Sequence, residues 1–230
     1  VTLEVVACDN HLLVVAKPAG LPTVPDESGD ESLLDRAREW VRVEFAKPGN
    51  VFLGVVHRLD RPVSGLVCFA RTSKGAARLT ESFRTRAVEK TYLGIGAGAP
   101  RESSGVLEQL LWKDEAARRV TVLPPGARRP GARLARTRWR VLGRGSGHTL
   151  LELVPETGRP HQLRVAAATL GCALLGDLKY GAPEALPDRS VALHAAALAL
   201  PHPTRPETLS FTCPVPGTPW WALAHQSGCT

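Results

Sequence analysis

The chain contains no methionine, only six lysines among its 29 basic residues, and few aromatics, which make up 5% of its 230 residues. With no methionine, Val1 is not expected to be the encoded start. The scarcity of aromatics argues against a broad platform for stacking bases. No apolar run reaches the length a bilayer crossing needs. The segment Val1–Val6 includes Glu4 and lacks the basic head and long apolar stretch of a signal peptide. A soluble, cytoplasmic protein without a membrane partner is the expectation. The five cysteines (Cys8, Cys68, Cys172, Cys213, Cys229) are scattered, odd in number and never spaced C-x-x-C. That excludes a disulfide framework and a cysteine zinc site, and no metal or cofactor is anticipated.

What is present is ordinary globular material: 43% hydrophobic and 22% charged residues, with a formal net charge of +7. A positive surplus favours encounter with polyanions but says nothing about fold. The excess is carried by arginine, whose planar fork matches phosphate oxygens. A compositional bias that also raises alanine and glycine accounts for most of it, so charge alone does not select a partner.

Periodicity gives a coarse map. Leu3–Val6 and Leu12–Ala16 read as strands around an Asp9-Asn10 turn, and Glu31–Ala46 as a helix with capping-box spacing between Ser28 and Glu31. Leu33, Leu34, Ala37, Trp40, Val41 and Phe45 would share its apolar face. Val51–Val56 is an apolar run, Leu66–Ala70 a buried strand and Ser73–Arg84 a basic helix. Thr91–Ile95, Ala135–Leu142, Thr149–Val154, Val191–Leu200 and Leu209–Thr212 read as strands. Pro160 suits the first position of a helix running through Leu170. Several strands follow one another directly, so a doubly wound parallel sheet is not expected. The pattern predicts a single α+β domain over 1–230, a mostly antiparallel mixed sheet flanked by helices and loops.

Two clusters could carry chemistry. In His57-Arg58-Leu59-Asp60-Arg61-Pro62-Val63-Ser64-Gly65 an apolar run leads into one carboxylate among cations, then a Ser-Gly turn and a second apolar strand. Nearby cations keep a carboxylate ionised, able to act as a nucleophile or as a partner for a cationic intermediate. Taken alone, the cluster fits a salt-bridged loop better than an active site. Thr157-Gly158-Arg159-Pro160-His161-Gln162-Leu163-Arg164 opens a helix, where free N–H groups favour anions; alone, it fits a capped surface helix. A third feature is positional: Arg136, Arg138 and Arg140 alternate along one strand and would form a row on one face. Meeting RNA phosphates and covering a solvated sheet face are equally open to that row.

Together these segments resemble the RluA-type pseudouridine synthases, in the family's own order and across most of the chain. The resemblance rests on Lys17-Pro18-x-Gly20-Leu21, on His57-Arg58-Leu59-Asp60 with Ser64-Gly65-Leu66, and on Lys90-x-Tyr92. It continues through Thr157-Gly158-Arg159-x-His161-Gln162-Leu163-Arg164, Gly176-Asp177-x-x-Tyr180-Gly181 and Leu193-His194-Ala195. Val63 and Pro160 depart from the usual threonines. The resemblance implies the family's catalytic fold, without room for a separate N-terminal RNA-binding domain, and isomerisation of uridine in ribosomal or transfer RNA with no cofactor and no obligatory protein partner. It implies that Asp60 starts the reaction, by attack on the ribose or by promoting loss of uracil. Arg164 would pair with Asp60, Tyr92 would stack on the extruded uracil, and Arg58 would fill the gap left by the flipped base. Arg61, with Arg136, Arg138 and Arg140, would contact RNA. His57, His161 and His194, like Gly176, Asp177 and Tyr180, are assigned to scaffold. Two competing readings are an RNA-binding module with a decayed site and a carboxylate glycosidase. The latter usually needs two cooperating carboxylates where only Asp60 stands in a motif.

Overall fold

The computed structural model describes residues 3–228, so Cys229 lies outside the described residues. In chain order the elements are β1 (Glu4–Cys8), β2 (Leu12–Lys17), α1 (Leu33–Glu44), β3 (Gly54–Val55), β4 (Ser64–Ala70), α2 (Ser73–Arg84), β5 (Glu89–Ala97) and β6 (Ser104–Asp114). They continue with β7 (Arg119–Leu123), β8 (Arg133–Gly145), β9 (His148–Pro155), α3 (Gln162–Thr169), β10 (Leu193–Pro201), β11 (Thr208–Thr212) and α4 (Ala222–Gln226). They form two compact units, Val1–Glu89 with Ala195–Cys213, and Lys90–His194 with Pro214–Thr230. No single cut of the chain separates them, because the first unit takes up its last two strands after the second has been traversed.

In the first unit the strands lie in the order β1-β2-β4-β10, with β11 pairing β10 and β3 pairing the end of β4. The β1–β2, β2–β4, β3–β4 and β10–β11 ladders are all antiparallel. Strands β2 and β4 are buried along their whole length, as their unbroken apolar sequences require. Leu12, Val14, Leu66, Cys68, Leu79 and Leu198 form the heart of this unit's core. Gly65 sits where only glycine fits: its φ is +111°, and a Cβ there would lie 2.4 Å from the carbonyl oxygen of Ala195.

Helix α1 starts later than its sequence suggests. Its N-cap is Ser32, which makes a capping box with Asp35, and Ser28 instead bonds Asp26 in the preceding loop. Leu33, Leu34, Ala37 and Val41 are buried as expected, whereas Phe45 stays exposed beneath the Arg71 guanidinium, 4.1 Å from its ring centre. Helix α2 has the bounds expected for it, capped by Thr72.

The second unit carries the strand order β5-β9-β8-β6-β7, again antiparallel throughout. Strands β6 and β7 are additions to the sequence-based map. Leu111, Val120, Ala135, Val165 and Tyr180 pack together where α3 covers the sheet. Pro160 does not open α3. The chain turns through His161 in the left-handed region, at φ 50°, and the helix begins at Gln162. No helix among the described residues is long and apolar enough to cross a membrane.

Candidate active site

Asp60 lies on the loop between β3 and β4, half-buried. The backbone on either side of it is fastened. The Thr23 hydroxyl donates to the Leu59 carbonyl at 2.8 Å and accepts from the Leu59 amide at 3.2 Å. The Asp60 carbonyl accepts from the Val63 amide at 3.0 Å, and the Arg61 carbonyl from the Gly20 amide at 2.8 Å. A loop so pinned fixes the backbone that carries the carboxylate without requiring a regular element.

Beneath it lies Lys17, the last residue of β2 and 1% exposed. Its ammonium donates to the carbonyls of Pro18 at 3.0 Å, Leu21 at 2.7 Å and Arg61 at 3.0 Å. Burial pushes the Lys17 ammonium down to about 7, Asp60 pulls it back up, and Arg61 lowers it further. The sequence cluster sets Asp60 among Arg58, Arg61 and His57, and two of these cations have well-defined contacts of their own. His57 stacks on Phe83 at 4.7 Å and accepts the Cys68 amide at its Nε2, 2.9 Å away, which leaves that nitrogen unprotonated. Arg61 turns to the 20–30 loop, donating to the Gly20 carbonyl at 2.9 Å, to Ser28 at 3.1 Å and to Asp30. Lys17, a motif residue given no role from sequence, is the buried cation coupled to Asp60. Its position at the end of an unbroken apolar strand was the available signal. Arg58 is exposed, with no hydrogen-bond or ion-pair partner among the described residues.

Tyr92 and Arg164 belong to the second unit. Tyr92 lies on β5 opposite Leu153 of β9 and is 9% exposed. Arg164, one turn into α3, is buried with Asp177. Its Nε and Nη2 donate to the two carboxylate oxygens of Asp177, each at 2.7 Å. This two-pronged bond fixes the plane of the guanidinium, and Tyr180 offers its ring 5.2 Å away. Tyr180 is itself held: its hydroxyl accepts from the Val120 amide at 2.9 Å and meets His161 Nδ1 at 2.6 Å. Burial raises the Tyr180 hydroxyl above its ordinary range. Asp177 is therefore more than scaffold; it is the orienting carboxylate of Arg164. Gly176 lets it approach, since a Cβ there would lie 2.3 Å from the Ser190 carbonyl oxygen.

The remaining polar residues of the 157–164 segment tie it to β8. The Gln162 amide group donates to the Arg136 carbonyl at 3.0 Å and to the Thr137 hydroxyl at 2.9 Å, while its oxygen accepts from Thr157 and from the Arg159 amide. Arg136, Arg138 and Arg140 do share one face of β8, but every one has a carboxylate partner, on β6, on β9 or just past the end of β9. Arg136 pairs with Glu108 and Glu156, Arg138 with Glu156 at 3.0 Å, and Arg140 with Glu152 at 3.1 Å.

Comparison with known proteins agrees with this geometry. The profile of the family described as RNA pseudouridylate synthase matches residues 11–169. The chain belongs to that family and is of the RluA type, and its reaction is the isomerisation of uridine to pseudouridine in RNA. It is 33% identical to the dual-specificity RNA pseudouridine synthase RluA of Pasteurella multocida, over 92% of this chain and 93% of that one. An uncharacterised RNA pseudouridine synthase of Bacillus subtilis is 32% identical over 93% of this chain and 69% of its own length. For a similar synthase of Synechocystis, at 32% identity, the share of its own length is 66%. The solved human RNA pseudouridylate synthase domain containing 4 superposes with a TM-score of 0.79 at 27% identity, covering 98% of this chain and 93% of that one.

Proposed function

We propose that Asp60 is the residue that starts the isomerisation, with Tyr92 and Arg164 as its catalytic companions, and that the substrate is ribosomal or transfer RNA. The observation that carries this reading is the pinned loop. Asp60 is the one carboxylate of the 57–65 segment, half-buried, with the peptide groups around it held by Thr23, Lys17, Gly20 and Val63. A half-buried carboxylate on a fixed backbone can meet the ribose of an extruded nucleotide with reduced loss of freedom on reaction. Uridine leaves its stack first, because a base cannot be detached and re-attached inside a helix. Arg58, exposed and without a hydrogen-bond or ion-pair partner among the described residues, is suited to occupy the vacated place. Tyr92 supplies a flat face for the uracil. Arg164, oriented by Asp177, contributes fixed positive charge for the stages in which the reacting groups are anionic.

The test is Asp60→Asn. Release of tritium from uracil carbon-5 should fall to background while melting temperature and RNA affinity stay near those of the parent. Substantial turnover by the Asn variant would remove Asp60 from the role. Pseudouridine mapping of total RNA, with and without the protein, identifies the RNA class; a lost site outside ribosomal and transfer RNA would overturn that part.

A further inference from the structure

The stretch between Glu115 and Glu152 holds nine arginines and no acidic residue. The fold divides this run in two. Arg136, Arg138 and Arg140 meet Glu108, Glu152 and Glu156 across the strands. An arginine paired at about 3 Å presents a dipole rather than a charge beyond the Debye length of about 8–10 Å, and it must give up its carboxylate to take a phosphate.

The other part behaves differently. Strands β7 and β8 both run antiparallel to β6, one on each side of it. Their connection, residues 124–132, must therefore cross β6. Strand β7 ends opposite Leu110 and β8 begins opposite Leu111. The guanidinium of Arg129 stacks 3.2 Å from the ring centre of Trp112 and so pins the crossing over the Trp112 face. By the two-residue period of β6 this is also the face that carries Glu108 and, opposite it, Arg136. Arg128 and Arg129 on the crossing, with Arg119 and Arg133 on the strands at its two ends, are exposed, and none has a carboxylate within ion-pair reach among the described residues. Arg119 lies 5.5 Å over the Tyr180 ring, and Arg133 donates only to the Ala132 carbonyl. The nearby acids are occupied: Asp114 caps the Ala117 amide and Glu115 pairs with Lys113 at 2.6 Å.

We propose that Arg119 at the start of β7, the 124–132 crossing and Arg133 at the start of β8, and not the row Arg136, Arg138 and Arg140, hold the RNA backbone outside the target nucleotide. The inference deepens the proposed function and rests on RNA being the substrate. Its recognition chemistry is phosphate contact by unneutralised guanidinium groups on a pinned loop, insensitive to sequence and sensitive to salt.

The probe is a fluorescein-labelled RNA stem-loop with uridines in its loop, titrated with full-length protein between about 50 and 200 mM salt. The triple variant Arg119→Ala/Arg128→Ala/Arg133→Ala should bind roughly ten-fold or more weakly at low salt, with a salt slope shallower by about 0.7–0.9 for each phosphate no longer neutralised. The charge-neutral pair Arg140→Gln/Glu152→Gln should bind like the parent. Arg128→Glu is the second arm: this exposed side chain has no hydrogen bond or ion pair among the described residues, so its reversal should weaken binding with little change in melting temperature. Parental affinity and slope in the triple variant and in Arg128→Glu, an equal loss in the charge-neutral pair, or no binding by the parent protein would overturn the proposal. Asp60→Asn in the same titration separates the two ideas, since loss of turnover with unaltered binding concerns Asp60 alone.

Discussion

Arg164 and Arg138 stand in one unit, each beside a carboxylate, and the two pairs do different things. The Arg164–Asp177 pair is two-pronged, with side chains 8% and 0% exposed. The Arg138–Glu156 pair has a guanidinium 56% exposed. Water already solvates the second arginine, so its pairing contributes about 0–1 kcal/mol and mainly cancels charge. The first arginine has surrendered its hydration, and Asp177 fixes the plane of its guanidinium through two bonds. The same kind of ion pair can thus fix the direction of one arginine and merely neutralise another.

The strongest way to break this contrast is Asp177→Ala. A buried guanidinium left without its carboxylate costs about 3–5 kcal/mol. The melting temperature should fall by roughly 6–20 °C, and turnover should drop more than stability explains, with kcat affected more than KM. A variant matching the parent in both would show that Asp177 orients nothing. Asp177→Asn, which keeps one acceptor, should lie between.

Lys17 extends the comparison to a buried cation held by carbonyls. Its folded pKa, about 7, lies below the ordinary lysine value of 10.5. Between those values the unfolded chain binds more protons, so the parent gains stability as pH rises through this window; below about 7 the cost of burying the charge is complete. Against Lys17→Met, which has no such titration, the parent's relative stability should climb by up to about 1.4 kcal/mol per pH unit between pH 7 and 10. Denaturant melts at several pH values measure this, and a constant difference would mean that the ammonium keeps its proton throughout.

Tyr180→Phe should cost about 1–3 kcal/mol by leaving the Val120 amide without its acceptor. It retains the ring beside Arg164, so kcat at saturating RNA should change little; a collapse of kcat would give the hydroxyl a part in the chemistry. The smallest effect belongs to the exposed side. Glu156→Gln should shift stability by under about 1 kcal/mol, yet release Arg136 and Arg138 and steepen the salt dependence of RNA binding. An unchanged slope would mean these arginines remain engaged with other acceptors, such as Glu108.

The parts legible in the sequence were those with one dominant local cause. Helix α2 has a Thr72 cap and a clear apolar stripe, and β4 is apolar without a break. The start of α1 was misplaced because Ser28 and Ser32 both have an acid three residues on, and only the packing of Leu33 and Leu34 decides between them. Strands β6 and β7 had no apolar run to reveal them; Glu108, Gln109, Lys113 and Thr121 find their places through pairing with neighbours far along the chain. At the site, the motifs point to Asp60, Tyr92 and Arg164, but the carboxylate 13 positions on that holds Arg164, Asp177, has no local signal, and the acids beside the β8 arginines come from β6, β9 and the residue after β9.

The late return of Ala195–Cys213 to the first unit has a consequence for synthesis. β4 has β2 on one edge as soon as the first strands emerge, but most of its other edge belongs to β10. Everything from β5 to α3 must leave the ribosome before that strand does, on the order of ten seconds at about 5–20 residues per second. Through that interval the nascent chain carries an open, wholly apolar strand edge of the kind that recruits foreign strands. Transposing the β10–β11 hairpin in the sequence, so that it follows α2 directly, would shorten that exposure.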